Sequence, residues 1–220
     1  MNKRARERLQ EAVSSVEEGA TEEKTGTTTL GVLYDSGVVV AADRQTSLIG
    51  GGTDIRYHDK SKIMQIQENV VLTSVGIPSI PQYVAKALRQ EVRIQKARNN
   101  RKFSVETHAN YVANLFMPHV SPVLAGVDED GPQLYRPGHG SVLVQDSYGA
   151  TGSGGREATA VLDSEYSHGL SESEAREIAI RAVRESVHRD NHTGAGIDIA
   201  VITEGRIEQE TVETYDGLRS

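Results

Sequence analysis

The sequence contains no cysteine and no tryptophan, and only 2 of its 220 residues are phenylalanine. The missing cysteines exclude disulfides, cysteine nucleophiles and thiolate metal sites, and they fit a reducing compartment. Aromatic residues are only 5% of the chain, so a core has to be built from Val, Ile, Leu, Ala and Tyr. No apolar run approaches the roughly 20 residues of a membrane-spanning helix. Residues 1–18 are charged throughout and hold none of the apolar stretch that a secretory signal needs. The net charge is −7, which disfavours nucleic acid as a partner. The short basic cluster Lys3, Arg4, Arg6 and Arg8 is interleaved with Glu7 and followed by Glu11, Glu17 and Glu18. It reads as a solvated helical face.

What is present suits one packed domain preceded by an arm. Residues 1–26 carry few large apolar side chains, namely Leu9, Val13 and Val16. They predict a weak helix over 3–18 and then a linker, without enough apolar surface to fold alone. From Thr27 the pattern changes. Strands are predicted over 27–34 and 38–42, joined at Ser36-Gly37 as a hairpin. Gly50, Gly51 and Gly52 mark a flexible loop, and strands follow over 62–66 and 70–75. Ile80, Val84, Leu88 and Val92 then fall on one helical stripe. A second helix is predicted over 104–116, with Val105, Tyr111, Val112, Leu115 and Phe116 as its apolar side and Pro118 as its terminator.

Strands return over 122–127, 133–135 and 141–148. A helix is predicted over 156–166, and another opens at Ser171, where Ser171-x-x-Glu174 forms a capping box. Its apolar stripe is Ala175, Ile178, Ala179, Ala182 and Val183. Strands over 197–202 and 207–211 close the chain. Helices grouped in pairs argue against a regular parallel α/β alternation. They predict an α+β class: two packed antiparallel sheets with helix pairs on the outer faces.

Several polar residues stand out against this frame. Thr27 follows Gly26 at the join between arm and domain. If the Gly26–Thr27 bond were cut, Thr27 would carry a hydroxyl nucleophile and a free α-amine able to act as its base. The plain alternative is a β-branched strand former. Asp43 ends an apolar strand and calls for a cationic partner. Lys62 begins another strand; if these strands are neighbours, Lys62 lowers the pKa of the Thr27 hydroxyl and Asp43 orients the lysine. The alternative here is a surface salt bridge of little consequence. Thr151-Gly152-Ser153-Gly154-Gly155 is a glycine-rich turn leading into a helix, a weak sign of anion binding. Asp190 and Thr193 lie where the last helix stops. His188 and His192 have helical metal-ligand spacing, but Gly194 breaks the helix and no third ligand is near in sequence.

The motifs Thr25–Thr29 (TGTTT), Ala41–Arg44 (AADR), Lys62-Ile63, Val75-Gly76, Thr151–Gly154 (TGSG), Arg189-Asp190 and Ile197–Thr203 (IDIAVIT) occur in order. On them, residues 25–202 closely resemble the β-type subunits of the proteasome core, most closely the archaeal kind. The resemblance implies an N-terminal nucleophile hydrolase with a four-layer αββα sandwich. It implies that residues 1–26 are a propeptide, removed by self-cleavage at Gly26–Thr27, and that residues 27–220 form a threonine endopeptidase acting on unfolded polypeptides. By resemblance Asp43 and Lys62 activate Thr27, and Ser153, Asp190 and Thr193 form a supporting network. Gly76 supplies an oxyanion N–H and Ser47 pairs with the substrate backbone.

The family commonly carries Ser where Thr193 stands and Ser where Gly155 stands. Its loop between Asp43 and Lys62 is shorter, which leaves Lys60 as a rival to Lys62; the strand beginning at Ile63 favours Lys62. Ser74, Thr46 and Lys60 are candidates for the specificity pocket. The implied partners are α-type and other β subunits in stacked heptameric rings, with a regulatory ATPase docked on the α rings. The implied location is cytoplasmic, with no cofactor, no nucleic acid and no membrane. A silent ring subunit is the competing class, and it has no need of Gly26, Thr27, Asp43 and Lys62 together. The bacterial two-ring relative also starts with Thr-Thr, but the long arm and residues 189–194 fit the archaeal β type better.

Overall fold

The computed structural model describes residues 26–50, 53–57, 61–73, 75–76, 79–99, 103–115, 120–138, 140–190 and 193–213. The strands are β1 (Thr28–Tyr34), β2 (Gly37–Asp43), β3 (Thr46–Gly50), β4 (Thr53–Tyr57), β5 (Ile63–Gln67) and β6 (Val70–Thr73). Helices α1 (Ser79–Asn99) and α2 (Val105–Ala113) follow, then β7 (Leu124–Asp128), β8 (Gly131–Gly138), β9 (Ser141–Gln145) and β10 (Tyr148–Gly152). Helices α3 (Gly155–Glu165) and α4 (Glu172–Arg189) precede β11 (Ile197–Thr203) and β12 (Arg206–Val212).

A strand with apolar side chains in succession has to be covered on both faces. β2 is such a strand, and it is the middle of a five-stranded antiparallel sheet, β10-β1-β2-β11-β12. A second five-stranded antiparallel sheet runs β5-β6-β7-β8-β9. Alternation divides β2 cleanly. Val39 and Ala41 join Leu30, Val32, Ile197 and Ile199 beneath Leu162 of α3 and Ile178, Ala182 and Val183 of α4. Val38, Val40 and Ala42 face the second sheet, meeting Val71, Ala125 and Leu134. On the far side of that sheet, Val70, Leu72 and Leu124 pack on Val84 and Leu88 of α1 and Val105 and Val112 of α2. The result is the α+β, four-layer αββα sandwich. Each fully buried Leu, Val or Ile contributes roughly 1.5–3 kcal/mol to holding the layers together. Gly31 fits the sheet-to-sheet contact, because a Cβ there would lie 2.4 Å from Cδ1 of Leu134.

The paired strands 27–34 and 38–42 and the helical stripes at Ile80, Val84 and Leu88 are present as expected. So is the capping box: Ser171 N–H donates to Glu174 Oε2 at 2.8 Å, and Ser171 Oγ accepts from Glu174 N–H. Two expectations need correction. Residues 141–148 are not one strand. The chain bends at Asp146-Ser147 and leaves the second sheet as β9 to enter the first as β10. The Ser147 carbonyl accepts from Leu33 N–H at 2.7 Å, which pins the crossing point to β1. An apolar alternation carries no mark of which sheet it serves, so the crossing is invisible in the pattern. Likewise, the segment around Gly50 belongs to a hairpin, β3 with β4, in which Gly50 pairs with Thr53. The Gly51-Gly52 connection itself lies outside the described residues.

Among the described residues, no helix is long and apolar enough to cross a membrane. Nor does any group of three or more His, Cys, Asp or Glu among them have the placement to hold a metal ion. His192, one member of the considered histidine pair, lies outside the described residues.

Candidate active site

β1 begins at Thr28, so Thr27 sits at the mouth of the first sheet, just before the ladder. Its neighbours are set by that ladder. Thr28 pairs with Gly152 on one side and Thr29 with Ala42 on the other. Gly152 takes φ +101°, and a Cβ on it would lie 1.8 Å from the Thr27 carbonyl oxygen. Only glycine permits that approach and that backbone conformation. The motif therefore serves backbone packing at Gly152. The glycine-rich turn is shorter than expected, since Thr151 and Gly152 still belong to β10.

Thr27 is buried, 3% exposed. Its hydroxyl donates to the carbonyl oxygen of Gly26 at 2.7 Å. Its backbone N–H donates to Ser153 Oγ at 3.0 Å. Ser153 in turn donates to Asp190 Oδ2, and Thr193 Oγ1 donates to the same oxygen at 2.7 Å. Asp190 is the C-cap of α4, in extended conformation, with its N–H on the Ser186 carbonyl. The following loop is clipped to the end of β2: Arg44 and Gln45 N–H groups both donate to the Gly194 carbonyl at 3.0 Å. Ala195 adopts φ +62°, a left-handed conformation that L-residues rarely take. The clip and this turn bring the end of α4 back onto the first strand.

Asp43 is wholly buried and accepts four hydrogen bonds from the described residues. Oδ1 takes Lys62 Nζ at 2.6 Å and Thr28 N–H at 2.8 Å. Oδ2 takes the N–H groups of Gln45 and Gly194, each at 3.1 Å. Lys62 stands at the head of β5 and is 5% exposed. The strands of Asp43 and Lys62 are not neighbours within one sheet, so the condition set on their meeting is fulfilled in another way. They belong to facing sheets, and the pair spans the interface. The alternative of a surface salt bridge is excluded by the burial of both groups.

Burial pushes the Asp43 carboxyl above its ordinary value, opposed by the Lys62 charge and the bonds from Lys62, Thr28 and Gly194. It also pushes the Lys62 ammonium down, opposed mainly by Asp43 and further by Asp190 and Asp198. The pair is held by the match between the two groups, and removing either one strands the other. Lys62 Nζ is bound to Asp43, while the Thr27 hydroxyl is bound to Gly26.

The structure thus joins Thr27, Ser153, Asp190 and Thr193 in one network and Asp43 with Lys62 in a second. Gly76 follows Val75 beyond β6 and takes φ +89°. Ser47 lies in β3 opposite Arg56, and its side chain is outside the described residues, as is that of Thr46. Lys60 and Ser74 are outside them as well. Sequence reasoning missed Thr28, whose N–H and hydroxyl reach both networks. The alternation of β1 was the available signal: it turns Thr28 away from Thr27 and Thr29.

The αββα sandwich of two antiparallel sheets is the fold of the N-terminal nucleophile hydrolases. The family model described as "Proteasome subunit" matches residues 23–202. Proteasome subunit beta of Haloferax volcanii is 36% identical over 204 residues, covering 91% of this chain and 83% of that protein. Proteasome subunit beta of Methanopyrus kandleri is 35% identical over 186 residues, covering 81% of this chain and 87% of that protein. The protein of the same name from Methanothermobacter thermautotrophicus is 36% identical over 185 residues, with the same coverage, 81% and 87%. The chain belongs to the proteasome subunit family. It is a proteolytic subunit of the 20S core and a threonine peptidase.

Proposed function

We propose that the chain is a zymogen, that it cuts its own Gly26–Thr27 bond, and that Thr27 is then the nucleophile of the peptidase. The observation that carries this reading is the 2.7 Å bond from the Thr27 hydroxyl to the Gly26 carbonyl oxygen. It holds the nucleophile beside the bond that must break. Thr27 Oγ1 bonds to the Gly26 carbonyl carbon, and the C–N bond opens as the hydroxyl proton passes to the Thr27 nitrogen. Water then hydrolyses the ester. Residues 1–26 leave with a carboxylate, and Thr27 keeps a free amine.

In the mature subunit the same oxygen attacks a substrate carbonyl carbon. The α-amine takes the hydroxyl proton and passes it to the departing amine. Water, activated by the amine, releases the acyl group. Lys62, held by Asp43, favours the alkoxide by its charge, and the Gly76 N–H stabilises the oxyanion. Ser153, Asp190 and Thr193 hold the amine through the Ser153 Oγ contact at 3.0 Å. Ser47 pairs with the substrate backbone as an added strand.

Burying Asp43 and Lys62 together supports the catalytic reading over a silent scaffold, because a buried ion pair adds little to stability by itself. The reading extends to the assembly. The subunit stands in heptameric β rings between α rings, fed with unfolded polypeptide by a regulatory ATPase, in the cytoplasm of an archaeal cell. Hydrolysis of a fluorogenic peptide by purified Thr27→Ala enzyme tests the reading. Complete loss of turnover supports it, and unchanged turnover overturns it.

A further inference from the structure

We propose that Thr28 is a positioning residue that ties the two carboxylates of the site, Asp43 and Asp190, into one frame around Thr27. The inference rests on Thr27 being the nucleophile. Thr28 is fully buried, and its side chain faces the helical layer while that of Thr29 faces the second sheet. Its N–H donates to Asp43 Oδ1 at 2.8 Å. Its hydroxyl lies 2.9 Å from Thr193 Oγ1.

Proton counting fixes the direction of that second bond. Thr193 has one hydroxyl proton and gives it to the Asp190 carboxylate, which can only accept. Thr28 therefore donates to Thr193. The bonds form a directed chain, Thr28 O–H to Thr193 O–H to Asp190, which meets the opposite arm, Thr27 N–H to Ser153 O–H to Asp190. Both arms start on adjacent residues of one peptide and end on the same carboxylate oxygen. The frame has little freedom left, since the Ser153 and Thr193 hydroxyls are each committed as both donor and acceptor.

Gly154 supplies the room for the Thr28 hydroxyl. A Cβ at 154 would lie 2.3 Å from Thr28 Oγ1. The glycine of the turn thus has a task that its place in a glycine-rich motif does not reveal. The Thr28 hydroxyl touches no reacting atom. It acts by setting Thr193 and Asp190, and through Ser153 the nitrogen of Thr27.

The test compares Thr28→Val, which keeps the shape and removes the hydroxyl, with Thr28→Ser, which keeps the hydroxyl. Thr27→Ala is prepared in parallel. Steady-state kinetics are measured on purified, processed enzyme with a fluorogenic peptide, together with thermal unfolding. Loss of one buried hydrogen bond in a network around the reacting centre predicts roughly a tenfold fall in kcat for Thr28→Val, with KM unchanged. Thr28→Ser should recover kcat. Wild-type kcat in Thr28→Val would overturn the proposal. So would equal impairment of both variants, or a change confined to KM or to the unfolding temperature, because each assigns Thr28 to packing alone. Activity in Thr27→Ala would instead overturn the nucleophile, and that result is separate from either Thr28 outcome.

Discussion

Thr29 and Thr73 meet hydroxyl to hydroxyl at 3.1 Å across the gap between the two sheets. Both are fully buried, and Thr73 Oγ1 also accepts from Val123 N–H at 2.8 Å. The pair ties the strand that begins beside Thr27 to the strand that leads toward Gly76. Thr73→Val leaves a buried N–H without its acceptor, so the expected cost is about 1–3 kcal/mol. Thr29→Val is expected to cost less. A double-mutant cycle by denaturant unfolding isolates the coupling between them, expected at about 1 kcal/mol.

The buried pair of Asp43 and Lys62 predicts a second effect. Lys62→Ala removes the only side-chain cation bonded to Asp43 among the described residues and leaves its carboxylate stranded. Loss of one partner from such a pair typically costs about 3–5 kcal/mol. Denaturant unfolding of Lys62→Ala in a Thr27→Ala background measures the loss with the processing state held constant. The reciprocal Asp43→Ala exposes the same interaction from the other side and should fall in the same range.

Gly152 supports a third prediction. Gly152→Ala places a methyl group against the Thr27 carbonyl and forces a left-handed residue that alanine resists. The strand start that carries Thr27 has to shift. Processing at Gly26–Thr27, followed by mass spectrometry, should slow more than global stability declines. Equal processing rates in Gly152→Ala and wild type would contradict the tight fit described for this contact.

His108 provides a pH-dependent signature away from the site. It is fully buried on α2, with Nδ1 against the Ser104 carbonyl at 2.7 Å and Nε2 without a partner among the described residues. Its ring stands edge-on to Phe103. Burial holds its pKa below the ordinary 6.5, opposed by the Ser104 bond and the Asp128 charge. The unfolded chain therefore takes up a proton that the folded chain resists. The stability this contributes is complete above pH 6.5 and declines as pH falls through the folded value, at up to about 1.4 kcal/mol per pH unit. His108→Gln should flatten that decline in unfolding experiments between pH 7 and pH 5, whatever its effect at pH 7.

Much of this was legible in the sequence, and the misses have definite causes. Strand alternation and helical stripes located β1, β2, α1 and α4, because their apolar faces meet the core directly. The break at Asp146-Ser147 escaped, since a strand that changes sheets keeps its alternation. His108 escaped as well: a histidine on a short helix reads as polar, and its burial depends on Phe103 and the sheet beneath. Asp43 with Lys62 came from residue type and strand position, but their meeting across two facing sheets is a tertiary fact. The four donors on Asp43 include the backbone N–H groups of Thr28, Gln45 and Gly194, which no side-chain pattern can announce.

In the proposed function, Thr27 is masked in the chain as synthesised and becomes the N-terminal nucleophile by self-cleavage. The intact mass of the purified, assembled subunit, measured beside Thr27→Ala, tests it most directly. A wild-type chain beginning at Thr27 and a Thr27→Ala chain retaining residues 1–26 are the predicted results. A wild-type active enzyme that retains residues 1–26, or a Thr27→Ala chain cut at the same bond, would contradict the account.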